Sequence, residues 1–104
     1  MKIQINTGHN IDGHEALARQ AEYTVESSLG HLAEHVTRVE VHLSDENSDK
    51  GGSMDKRCLM EARIEGQQPI AVTYKSETAA QAVAGAAEKL KQAVGHALDR
   101  RNQF

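Results

Sequence analysis

His31 and His35 stand four residues apart, a spacing that sets two imidazoles on one helix face and is used for metal ligation. The residue after His31 is Leu32, so the glutamate of a zinc-protease helix is missing. No third ligand is near in sequence, and a metal site needs three or four. The pair fits a polar flank near a helix C-terminus, where histidine is electrostatically favoured. We expect no metal site and no cofactor.

Cys58 is the single cysteine and could act as a nucleophile. It falls on the apolar side of an alternating stretch, "KRCLMEARIEG", where a thiol behaves as a small hydrophobe. A reactive thiol needs an exposed, electropositive setting. His42 points away from the apolar side of its own stretch, so alternation keeps it from Cys58. "DENSD" at 45–49 could hold a hard cation weakly but lacks the twelve-residue calcium-loop pattern. "TGHN" at 7–10 has one glycine and no phosphate-loop spacing. Nothing here compels an enzyme, and we expect neither catalysis nor a small-molecule substrate.

The remaining chemistry is electrostatic. "EKLKQAVGHALDRRNQF", residues 88–104, carries Lys89, Lys91, Arg100 and Arg101 against Glu88 and Asp99, in a chain whose net charge is −3. On a helical wheel Lys89, His96 and Arg100 share a stripe beside the apolar face, and Lys91 lies on the other flank. Such a patch can meet phosphate. Cations in a last helical turn also complement the helix dipole without any ligand. Both readings stand on these residues alone.

These side chains must be positioned by short elements. "KIQINTG" alternates, with Ile3 and Ile5 on one side, and predicts a half-buried strand. Asp12 followed by Glu15 reads as a helix start of the capping-box type. Beyond it Leu17, Ala21, Val25, Ser28 and Leu32 form one stripe with Leu29 at its edge, opposite Glu15, Arg19, Glu22 and Glu26. "TRVEVHLSDE" predicts a second strand, with Val39, Val41 and Leu43 inward and Arg38, Glu40 and His42 outward. "DENSDKGGSMD" predicts a long polar loop. Cys58, Met60, Ala62 and Ile64 face inward on a third strand, with Arg57, Glu61, Arg63 and Glu65 outward and Leu59 among them. After a turn at Gly66–Pro69, Ile70, Val72 and Tyr74 share a face of a fourth strand. Thr78 with Gln81 opens a second helix that buries Ala79, Val83, Ala86, Ala87, Leu90, Val94 and Ala97.

The order β-α-β-β-β-α predicts an α+β domain spanning residues 1–104: a four-stranded sheet, its last three strands an antiparallel meander, with two helices packed on one face. The core expected from this pattern includes Val39, Val41, Cys58, Met60, Ile64, Val72, Val83, Leu90 and Val94. With 104 residues there is room for one core. Aromatic residues are only 3%, so the core must be aliphatic and rich in alanine. A lone cysteine forms no internal disulfide, the N-terminus lacks an apolar signal core, and no apolar run approaches the ~20 residues of a membrane span. We read a cytoplasmic protein without a membrane partner.

The ordered set of these stretches resembles the ribosome hibernation-promoting factors, also called ribosome-associated translation inhibitors or sigma-54 modulation proteins. "MKIQINTGHNID", "TRVEVHLSDEN", "CLMEARIEGQQPIAV" and "AAQAVAGAAEKLKQAV" carry the resemblance, essentially end to end. It implies a fold similar to a double-stranded RNA-binding domain. It also implies stress-linked ribosome hibernation, through binding to ribosomal RNA in the small-subunit groove that otherwise holds messenger and transfer RNA, which silences translation without chemistry. The chain looks like a short form of the family, and a weak homodimer is compatible with it. The RNA contacts expected on this reading are Lys89, Lys91, His96, Arg100 and Arg101 of the second helix, forming one continuous surface with Arg19 or Arg38. It differs from the family pattern in the first helix, whose exposed face is net acidic. An alternative reading is therefore a protein-interaction module on the same fold, its acidic first helix meeting a basic partner, with weak or no RNA binding.

Overall fold

The computed structural model describes residues 1–8, 11, 14–46 and 56–101, with the side chain of Arg101 outside that set. Asp12, the expected first cap, and the expected loop from residue 47 to 55 lie outside the described residues. The elements are β1 (Lys2–Thr7), α1 (His14–Leu29) with a 3-10 turn at Gly30–Leu32, β2 (Val36–Asp45), β3 (Lys56–Ile64), β4 (Ile70–Ser76) and α2 (Ala79–Arg101). The four strands lie in the order β1-β2-β3-β4.

β1 runs parallel to β2, a pairing that needs a crossover, and α1 supplies it. β2, β3 and β4 are antiparallel neighbours. α2 lies against β3 and β4, α1 against β1, and the two helices touch each other over one face of the sheet. This is the expected β-α-β-β-β-α architecture.

Alternation sorts the strand residues as expected. Val39, Val41, Leu43, Cys58, Met60, Ala62 and Ile64 are buried under the helices. Val36 is buried too, although it is out of step with Val39. A register shift between Val36 and Arg38 resolves the mismatch: Thr37 is extra, exposed, and donates its hydroxyl to the Arg63 carbonyl at 3.2 Å. Strict period-2 reading could not place Val36.

Val72 departs from expectation. It is half-buried and packs at the margin of the core, because β4 is an edge strand with no neighbour on its far side. Leu29 departs in the other direction. It is fully buried, whereas Ser28 on the expected stripe is only half-buried. Ala82 and Leu98 join the buried face of α2, while Ala79 is half-buried. Full burial of a side chain such as Leu29, Met60 or Leu90 contributes about 1.5–3 kcal/mol.

Two glycines have geometric reasons. Gly66 has φ 78°, the left-handed conformation that turns β3 into β4, and Gln67 then donates to the Ile64 carbonyl at 3.1 Å. Gly85 on α2 gives way to the ring of Tyr74: a Cβ there would lie 2.3 Å from it. Tyr74 thus points to the helix side of β4 yet stays 40% exposed, its ring lying across the missing side chain at the sheet edge.

Candidate nucleic-acid interface

α2 starts where the sequence indicates. The Gln81 N–H donates to the Thr78 hydroxyl at 3.1 Å, which satisfies one free donor of the first turn. The Gln81 carboxamide oxygen accepts from the Ser76 hydroxyl at 3.1 Å, tying the helix start to the end of β4. The buried alanines seat α2 closely on the sheet. Its other sides carry the expected cations.

Lys89, Lys91, His96 and Arg100 are all exposed on α2. Lys89, however, is already engaged. Its Nζ donates to the Thr73 carbonyl at 2.9 Å. Thr73 belongs to β4, an edge strand of the sheet, so the bond ties α2 to that edge. Arg100 stands at the other end of the helix, beside the β3–β4 turn. With Gly66, Gln67, Gln68, Pro69, Ile70 and Ala97 it lines an open groove of about 730 Å³. Arg101 ends α2. Glu88 and Asp99 are exposed among these cations and dilute them.

Arg19 is exposed on α1 within the same layer as the α2 cations, alongside the exposed Glu15, Glu22 and Glu26. Arg38 is not in that layer. It lies on the opposite face of the sheet, where its Nε donates to Glu40 Oε2 at 3.2 Å and its guanidinium also bonds the Gln4 carboxamide. The helix cations and Arg38 therefore form two surfaces separated by the sheet. Register and the choice of covered face decide this, and neither is visible in residue spacing.

The histidine pair and the cysteine lie apart from the helix cations. His31 is exposed in the 3-10 turn and His35 is half-buried just after it. Among the described residues no cluster of three or more His, Cys, Asp or Glu side chains could hold a metal. Cys58 is fully buried, and burial pushes its thiol up to about 12, with nearby Arg57 only partly opposing the shift. A thiol so placed carries no thiolate near neutral pH. Among the described residues no helix is long and apolar enough to cross a membrane.

Comparison with known proteins completes the picture. Residues 4–102 match the model of the family described as sigma 54 modulation protein / S30EA ribosomal protein. The chain belongs to this family. Comparison with curated proteins finds no match. Among solved structures, the fold is similar to a ribosomal subunit interface protein from Coxiella burnetii. That similarity has a TM-score of 0.71 at 16% identity, covering 95% of this chain and 99% of the other. It is also similar to the N-terminal domain of Protein Y from Thermus thermophilus, with a TM-score of 0.67 at 18% identity, covering 90% and 96%. At these identities the two structures speak for the fold. Family membership rests on the match across the chain, and it marks the protein as ribosome-associated.

Proposed function

We propose that this protein binds the small ribosomal subunit in the cytoplasm and silences translation by occupancy, without catalysis, when cells stop growing. The observation that carries the proposal is the family match over residues 4–102. Similarity of fold to a protein named for the ribosomal subunit interface supports it. The contacts to ribosomal RNA on the helix side are Lys91, His96, Arg100 and Arg101, with Lys89 and Arg19 flanking them. The protein acts as one domain over residues 1–104.

One observation favours a second reading. Glu15, Glu22 and Glu26 are exposed on α1 and have no ion-pair partner among the described residues. An acidic flank of this kind suits a basic protein partner, such as a ribosomal protein, better than a phosphate backbone.

Sedimentation with ribosomes at low and moderate salt tests both. The protein should pellet with ribosomes and release as salt rises, and it should inhibit translation in a purified system. Lys91→Glu with Arg100→Glu should abolish pelleting while the fold survives, since both side chains are exposed. Glu22→Lys with Glu26→Lys should tighten pelleting. The protein-partner reading expects the reverse pattern. A protein that does not pellet at low salt refutes the ribosome proposal.

A further inference from the structure

We propose that the helix-free face of the sheet is a second phosphate-binding surface, built to lie against the backbone of a structured RNA. The choice of partner rests on the ribosome reading above. The surface itself is argued from strand register.

The outward positions of the strands hold the cations Lys2, Arg38, Arg57, Arg63 and Lys75 and the anions Glu40 and Glu61, with Glu46 just beyond β2 on the same face. In a chain of net charge −3, this face is positive. Register sorts the charges into bands across the strands. Lys2 stands opposite Arg38, and Arg38 opposite Arg63. Arg57 stands opposite Lys75 at the other end. Between the bands, Glu40 faces Glu61, and Asn6, His42, Leu59 and Thr73 line up in the next row. Adjacent strands lie about 4.8 Å apart, so each band sets its cations side by side across the sheet. Six residues along β2 from Arg38 to Ser44 separate the bands by about 20 Å.

Like charges directly opposite on neighbouring strands are destabilising. A face charged only for solubility would pair opposite signs across strands. Here opposite signs meet instead along and diagonally between strands. Glu40 receives Arg38 at 3.2 Å and Arg63 at 4.0 Å, and Glu61 receives Arg63 at 3.7 Å. Glu46, just beyond β2, receives Arg57 at 3.2 Å and Lys75 at 3.3 Å. These contacts hold the guanidinium groups in place and leave donors for a ligand, since each guanidinium has five N–H groups. Lys2 has no ion-pair partner among the described residues.

The chemistry of the face selects the ligand. Among the described residues the face carries no Phe, Tyr or Trp: Tyr23 is on α1, and Tyr74 lies on the helix side of β4. With cations in bands and His42 as its single aromatic ring among the described residues, it suits the backbone of a folded or duplex RNA better than a run of splayed single-stranded bases. A small domain seated in a groove meets a wall on each side. α2 faces one wall and the bands of cations face the other.

The test is fluorescence anisotropy of a labelled RNA duplex of about 16 base pairs, between about 50 and 200 mM salt, beside ribosome pelleting. Lys2→Gln, Arg63→Gln and Lys75→Gln together should lower duplex affinity at least about tenfold and flatten the salt slope by two to three. The triple variant should produce a further loss of the same size in a background that already carries Lys91→Gln and Arg100→Gln. Should the triple variant fold poorly, Lys2→Gln with Lys75→Gln, both exposed, should give the same change in part. A triple variant that folds and binds duplex like the parent overturns the inference, as does a parent that ignores duplex at low salt. Pelleting separates the two proposals. A parent that pellets without sheet-dependent duplex binding keeps the ribosome reading and overturns this surface. A parent that binds duplex through the sheet without pelleting does the reverse.

Discussion

The two faces of one sheet are built from alternate residues of the same strands, yet different physics shapes them. On the helix side Val39, Val41, Cys58, Met60 and Ala62 are closed off from water and packed against Val25, Leu29, Leu90 and Val94. On the open side Arg38, Glu40, Glu61 and Arg63 are charged, partly exposed and joined by ion pairs. The first face is set by what each strand hides. The second is set by which residue of one strand lies beside which residue of the next. Perturbations on the two faces should therefore differ in size and in kind.

Met60 on β3 gives the largest contrast. It is fully buried at the centre of the sheet, opposite Val41 on one side and Val72 on the other. Met60→Ala should cost about 2–5 kcal/mol, the lost burial plus the cavity left behind. Chemical denaturation of the parent and the variant measures it directly. A cost below about 1 kcal/mol would mean that the inner face is not the packed core described here.

The inner face was largely legible in the amino-acid sequence because it depends on local period. Alternation placed Cys58, Met60, Ala62 and Ile64, and the 3.6-residue stripe placed Val83, Leu90 and Val94. It failed where a non-local feature intervened. The bulge at Thr37 puts Val36 and Val39 on the same side although they differ in parity. The edge position of β4 leaves Val72 only half-buried. The interface was less legible. Lys91, His96 and Arg100 could be placed on an exposed helix surface, but the bond from Lys89 to the Thr73 carbonyl needs α2 to lie alongside β4. The bands Lys2–Arg38–Arg63 and Arg57–Lys75 require the register of neighbouring strands. The outward charges were visible in each strand, but no residue spacing says which of them stand together.

Cys58 supplies a middle-sized effect. Burial raises its thiol from 9.0 to about 12 in the folded protein. A raised folded value means that the neutral thiol's burial is fully favourable below the unfolded value. It is lost as pH climbs from about 9 toward about 12, because only the unfolded chain ionises there. Near pH 10 the loss amounts to roughly 1–2 kcal/mol. The Cys58→Ala variant should lack this part of the alkaline slope when both proteins are denatured across that range. The native thiol should also resist alkylation at neutral pH and react once the chain unfolds. Rapid labelling of native protein, with no alkaline difference from the variant, would place the thiol outside the core.

Glu61 gives the smallest stability effect and the sharpest question, because it is the next residue along β3 from Met60 and points to the other side. It faces Glu40 across the strand pair, which costs a few tenths to about 1 kcal/mol. It also holds Arg63 at 3.7 Å in an exposed ion pair, a contribution of similar size and opposite sign. Glu61→Gln should therefore change stability by no more than about 0.5 kcal/mol, against several for its neighbour. Its effect on binding should be larger in proportion. Removing a carboxylate between the two bands of cations raises the positive potential over the face, so affinity for RNA duplex should increase several-fold at low salt and converge with the parent as salt screens the charge. If the outer face is only a solvated surface, the variant will match the parent in both stability and binding. If Glu61 instead serves by holding Arg63 for the ligand, affinity will fall, and Arg63→Gln in the same background will lower it no further.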